Sequence, residues 1–202
     1  MFALATGERM ERHAVMPEPT VDGQLIRACQ DGDRDAFRLL FETYKDRVFS
    51  IAVYSLGDRA VADDVTQQIF LKLFTAIRQF RGDSEFTTWL YRMVVNACHD
   101  ERRRTKRIAA WGDTVVEPSG DKKPQESQYA RQEIAAVVQA AIGQLKPTFR
   151  MPILLKYVEG LSYEEIAEVM GCSKGTVASR LNRGHTELAK RLAHLRSTVV
   201  GE

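Results

Sequence analysis

FRGDSEFTTWLYRMVVNACHDERRRTKR, residues 80–107, is the stretch from which the rest of the chain can be read. It opens as a loop, since Gly82 and Asp83 supply turn chemistry. From Ser84, a candidate N-cap, the pattern predicts a helix. Phe86, Trp89, Leu90, Met93, Val94 and Ala97 recur at three-and-four spacing and leave Arg92, Asn96, His99 and Arg103 on the opposite face. Phe86 and Leu90 read as core, whereas Trp89 is divided between core and an exposed platform. Arg102, Arg103, Arg104, Lys106 and Arg107 crowd the far end. Aromatic faces stack unpaired bases at about 1–3 kcal/mol per base, and cations neutralise phosphate. A helix end also gathers cations simply to complement its dipole. On its own, then, the stretch establishes an amphipathic helix with the means to hold an opened strand.

A second informative pattern lies downstream, GLSYEEIAEVMGCSKGTVASRLNRG at 160–184. Ser162 and Glu165 have the spacing of a capping box for a helix ending at Met170. Ala167 is small where another helix must cross, Gly171 permits a tight turn, and Ser173 caps the next helix, whose Val177 and Leu181 face back. This predicts a helix-turn-helix, in which the second helix enters the major groove. Ser173, Lys174, Thr176, Arg180 and Arg183 are left outward, as donors suited to guanine edges and phosphates.

The remaining segments fit around these two. Residues 1–21 mix charges with Pro17 and Pro19 without a period and read as a flexible tail. A short helix bearing Leu25, Ile26 and Cys29 stops at Asp31-Gly32, and Asp33 caps a longer one that reaches Leu56-Gly57. A third helix runs from near Asp58 to about Gln79, with Val65, Ile69, Leu73 and Ile77 on one stripe and Val61, Phe70, Leu71 and Phe74 widening it. Asp63 and Asp64 on this helix suggest a metal or an acid/base pair. Adjacent helical residues diverge, however, and no histidine or further carboxylate joins them at ligand spacing, so a polar protein-binding face is the better reading. Residues 108–127 have the composition of a linker. Beyond it, a helix from about Ile134 to Gly143 precedes one with Pro147 in its first turn, bent at Pro152 and running to Glu159-Gly160. The expected fold is all-α: two small helical domains, 22–107 and 128–202, joined by a flexible linker.

Composition narrows the function. Charged residues are 28% of the chain but the net charge is only +2, so any nucleic-acid footprint comes from local clustering. Cys29, Cys98 and Cys172 lie far apart without metal-ligand spacing and read as buried thiols in a reducing compartment. The four histidines are scattered, and no nucleotide-binding glycine motif or nucleophile elbow occurs, so neither an enzyme nor a cofactor is expected. No apolar stretch is long enough to span a bilayer, and a cytoplasmic protein without membrane insertion follows as the expectation.

Three motifs in this order, ADDVTQQIF at 62–70, FRGDSEFTTWLYR at 80–92 and GLSYEEIAEVMGCSKGTVASRLNR at 160–183, resemble the extracytoplasmic-function (group IV) sigma factors of bacterial RNA polymerase. The resemblance implies a region 2 domain at 22–107 and a region 4 domain at 128–202. It implies that Asp63, Asp64, Gln67, Gln68 and Phe70 dock on the clamp helices of the largest polymerase subunit, with further contact to the flap. Phe80, Asp83, Ser84, Phe86, Trp89, Arg92 and Asn96, with Arg81 and Arg103 beside them, would hold the melted −10 strand. Ser173, Lys174, Thr176, Arg180 and Arg183 would read −35 duplex DNA, and the helix N-terminus at Ser162 would receive a phosphate. An anti-sigma factor is the implied regulatory partner, and the free chain is expected to be a monomer. Gln67-Gln68 stands where the family usually has Gln-Glu, and Ala178 where arginine is frequent. A helix-turn-helix regulator that never touches polymerase would explain residues 160–196 equally well. It leaves the aromatic loop and polar helix of the first domain without a purpose.

Overall fold

The computed structural model describes residues 23–111 and 137–193, and every regular element within them is helical. The expected tail, most of the expected linker and the first residues of the helix expected from Ile134 lie outside the described residues. Helix α1 (Gly23–Gln30) turns Ile26 and Cys29 inward. Helix α2 (Arg34–Leu56) starts where Asp33 Oδ1 accepts from the backbone N–H groups of Asp35 and Ala36 at 2.8 and 3.1 Å, and stops at Gly57 in a left-handed conformation. Helix α3 (Arg59–Ala76) is capped by Asp58, which accepts from the Val61 N–H at 3.0 Å, and tightens into a 3-10 turn at Ile77–Gln79.

Helix α4 (Phe86–Trp111) differs from expectation at both ends. The Glu85 carbonyl accepts the first bond, from the Trp89 N–H at 3.1 Å, so Ser84 sits one residue too far out to be the cap. At the other end the helix runs past Arg107 to Trp111, through residues such as Ala109 and Ala110 that favour it.

The second unit comprises α5 (described over 137–143), α6 (Pro147–Tyr157), α7 (Tyr163–Met170) and α8 (Lys174–Arg191). Pro147 occupies the first turn of α6 and Pro152 lies buried within it; the helix ends at Tyr157, short of Glu159. Gly171, at φ 59°, makes the α7–α8 turn that the Cys172 N–H closes by donating to the Ala167 carbonyl at 3.0 Å.

The apolar stripes of the two units join in one core. Leu40, Tyr44 and Ile51 of α2 meet Val65, Ile69 and Leu73 of α3 and Leu90 and Val94 of α4; Leu154, Leu161, Ile166, Val177 and Leu181 fill the second unit. Burial of each large side chain stabilises by about 1.5–3 kcal/mol. Phe86 and Leu90 are buried as read from the sequence, but Leu71 and Phe74 are not: they are 70% and 48% exposed.

The two units pack on each other through buried polar groups. The Tyr91 hydroxyl of α4 donates to the Glu159 carboxylate at the end of the α6 segment, and Arg47 of α2 pairs with the same carboxylate at 3.7 Å. Glu159 is 2% exposed. Burial, with the carboxylate beside it, pushes the Tyr91 hydroxyl pKa well above its ordinary value. Arg150 of α6 crosses the other way: it donates to the Ser55 carbonyl of α2 and, within its own unit, to the Gly143 carbonyl and the Leu145 carbonyl, the last at 2.9 Å. Burial, helped by Arg102, lowers the Arg150 pKa to about 10, so it stays charged at neutral pH.

Candidate nucleic-acid and polymerase interface

Three surfaces carry the residues singled out in the sequence. On α3, Asp63, Asp64, Gln67 and Gln68 are exposed along one face. Phe70 departs from this set: it is 4% exposed, edge-on to Phe41 at 4.7 Å, and belongs to the core beneath the face. Its place outside is taken by Leu71 and Phe74, with Phe37 edge-on to Phe74 at 4.9 Å. These two lie four and seven residues after Gln67, so helical spacing continues the polar stripe into an apolar one. That was the available signal, and it was obscured because every apolar residue on the helix invites a core reading.

The second surface begins at the loop before α4. Phe80 is half-buried, 5.1 Å from Trp89 and edge-on to Phe86 at 5.7 Å. Trp89 is half-buried and packed on the core, with Phe86 6.0 Å away. Arg81 and Asp83 are exposed, and Ser84 is half-buried. From this aromatic cluster Arg92, Asn96 and Arg103 continue, exposed, along one side of α4. The cation cluster divides by role. Arg102 donates to the Ser55 carbonyl at 2.9 Å, and burial lowers its pKa; Arg104 makes a bidentate pair with Glu101 at 2.8 and 2.9 Å. Arg103, Lys106 and Arg107 remain exposed, around an open hollow with Asp100.

The third surface is the helix-turn-helix. Its capping box is complete: the Glu165 N–H donates to Ser162 Oγ at 3.2 Å and the Ser162 N–H to the Glu165 carboxylate at 2.6 Å. Ser173 Oγ accepts from the Thr176 N–H at 3.1 Å and lies 2.9 Å from Thr176 Oγ1. Lys174 pairs with Glu164 on α7, an exposed ion pair that solvent screens and phosphate would readily displace. Arg183 is exposed, whereas Arg180 is half-buried with its guanidinium donating to Cys172 Sγ at 3.8 Å.

What only the folded chain reveals is that the second and third surfaces meet. Arg92, Asn96 and His99 of α4 face Thr148, Met170 and Arg180 across one cleft of about 320 Å³. Partial desolvation in the cleft, reinforced by Arg102, Arg103 and Arg180 and opposed by Asp100, lowers the His99 pKa. Among the described residues no group of His, Cys, Asp or Glu could hold a metal ion, and no helix is long and apolar enough to cross a membrane. Cys29, Cys98 and Cys172 are free thiols.

Comparison with known proteins agrees with this layout. Residues 40–108 match the sigma-70 region 2 family and residues 135–188 the sigma-70 region 4 family. The RNA polymerase sigma-H factor of Pseudomonas aeruginosa is 37% identical over 183 residues, covering 86% of this chain and 95% of the relative. The ECF RNA polymerase sigma-E factor of Escherichia coli K12 is 34% identical over 189 residues, covering 89% and 98%. Among solved structures, the sigma factor RpoE of Bartonella quintana, in complex with the anti-sigma factor NepR, shares the fold. Its TM-score is 0.68 at 23% identity, over 78% of this chain and 96% of that one. CnrH, in complex with the cytosolic domain of CnrY, matches with a TM-score of 0.63 at 26% identity, over 85% and 96%.

Proposed function

This chain belongs to the extracytoplasmic-function RNA polymerase sigma factors and carries sigma-70 regions 2 and 4; from that membership we propose how its surfaces divide the work of directing transcription. The family is not enzymatic, so opening of the promoter draws on binding energy alone. The α3 face with Asp63, Asp64, Gln67 and Gln68, extended by Leu71 and Phe74, docks on the clamp helices of core polymerase. Phe70 serves from inside, fixing the helix. The loop from Phe80 and the exposed side of α4 hold the separated −10 strand, where stacking of unpaired bases offsets unpairing. Ser162, Ser173, Lys174, Thr176, Arg180 and Arg183 read the −35 duplex.

The observation that carries this reading is the aromatic pair Phe80 and Trp89, half-exposed over the buried Phe86 and continued along α4 by Arg92, Asn96 and Arg103. A duplex-only reader has no use for such a wedge. In the packed arrangement Arg180 faces α4 instead of a groove, so the units must part before a promoter is read. An anti-sigma partner would act by holding the chain away from that open form.

Transcription with purified core polymerase, this chain and fragmented DNA from its source, with 5′ ends mapped, tests the proposal. Discrete new starts sharing paired upstream elements are the expected result; no starts and no binding to core polymerase would overturn it. On the mapped promoter, Trp89→Ala is expected to cost about 1–3 kcal/mol in strand opening and much less in closed-complex binding. Arg180→Ala is expected to cost about 1–3 kcal/mol for the base it reads and to relax preference at that −35 position, measured by competition with single-base variants.

A further inference from the structure

Gln30, the last residue of α1, reaches across the domain to the start of the loop that carries Phe80. Its side-chain amide donates to the Phe80 carbonyl at 2.8 Å and to the Ile77 carbonyl at 3.2 Å. Both partners are acceptors, so only the NH2 end of the amide can face them, and its two hydrogens meet two oxygens. The Ile77 carbonyl also accepts from the Phe80 N–H at 3.1 Å, closing the 3-10 turn at the same point. The next turn is equally close: Gly32 has φ 91°, and a Cβ built there would lie 3.4 Å from the Arg78 guanidinium. Ile26 and Cys29 bury α1 in the core, which gives Gln30 a fixed base. The residues that match region 2 begin at 40, so α1 lies outside them.

Phe80 is therefore held from two sides, its carbonyl by Gln30 and its ring by Trp89 and Phe86. We propose that Gln30 is a positioning residue for promoter opening: it pins the backbone where the loop leaves the α3 turn and presets the Phe80–Trp89 wedge for the unpaired strand. A preset wedge does not have to be ordered at the moment of capture, which is where the rate is gained. This inference rests on the assignment of the loop to the −10 strand.

The test uses holoenzyme on the mapped promoter, with 2-aminopurine in the −10 non-template strand reporting opening. Gln30→Glu keeps the size of the side chain but replaces its donors with a carboxylate, and Gln30→Ala removes it; thermal melting checks that both fold. Both are expected to slow opening about tenfold, on the scale of one or two net hydrogen bonds. Affinity for core polymerase and for −35 duplex should stay within about twofold of the parent. A role in stability alone would lower all of these together and would overturn the proposal. Normal opening by both Gln30 variants beside slow opening by Trp89→Ala would also overturn it. Normal opening by Trp89→Ala as well would instead remove the −10 assignment beneath it.

Discussion

Glu159→Ala is expected to part the two units. The carboxylate is 2% exposed, receives the Tyr91 hydroxyl and faces Arg47 at 3.7 Å. Removing one member of a buried charged pair typically costs about 3–5 kcal/mol, because the partner stays behind without it. Arg47, whose side chain is 12% exposed, can recover some water, which places the cost near the lower bound. About 3 kcal/mol is still more than a hundredfold in the equilibrium between packed and parted units. The measurements are the radius of gyration by small-angle scattering and amide exchange across α4 and α7. The first should rise and the second quicken, with helical content retained by circular dichroism. Glu159→Gln keeps an acceptor for Tyr91 but not the charge facing Arg47, and should fall between the two. If the units must separate before DNA is read, Glu159→Ala should also bind −35 duplex more tightly than the parent. An unchanged radius and unchanged exchange would mean that apolar packing alone holds the units together.

Arg150→Met should do something different: destabilise the second unit itself. Arg150 is 6% exposed and serves the carbonyls of Ser55, Gly143 and Leu145. Methionine fills much of the volume but donates nothing. Ser55 would keep Arg102 at 2.9 Å, so the loss falls mainly on Gly143 and Leu145 at the α5–α6 junction. A buried carbonyl left without its donor costs about 1–3 kcal/mol, so the pair amounts to roughly 2–5 kcal/mol. For a domain of this size each kcal/mol moves Tm by about 4–8 °C, and a fall of about 10 °C or more is expected in calorimetry. Arg150→Lys should recover only part of it, since one ammonium lacks the planar fork that spans carbonyls on both sides. A Tm within about 2 °C of the parent would show that the carbonyls are satisfied by other means.

Much of the fold was legible in the residues because the controlling interactions are local. Asp33, Ser162 and Ser173 all cap the helices that their spacing announced, since a cap needs only its own side chain and an N–H two or three residues on. Gly57 and Gly171 end helices for an equally local reason, the left-handed backbone that glycine adopts freely. Ser84 failed by a single residue, because several loop conformations can lead into α4 and composition does not choose among them. Phe70 against Leu71 and Phe74 was a harder case. The three share one apolar helix, and which of them turns inward depends on where α2 lies.

By itself, then, the sequence determined the all-α class, the extents of most helices, the helix-turn-helix and the family motifs, because each rests on contacts within one element or one turn. Tertiary structure alone decided which polar residues meet across the chain. Tyr91 and Glu159 are 68 residues apart, Arg150 and Ser55 95, and Gln30 and Phe80 50. No periodicity links such positions. Their pairing arises only after two amphipathic units have buried their stripes and left these donors and acceptors in the seams, where a polar group without a partner would be costly.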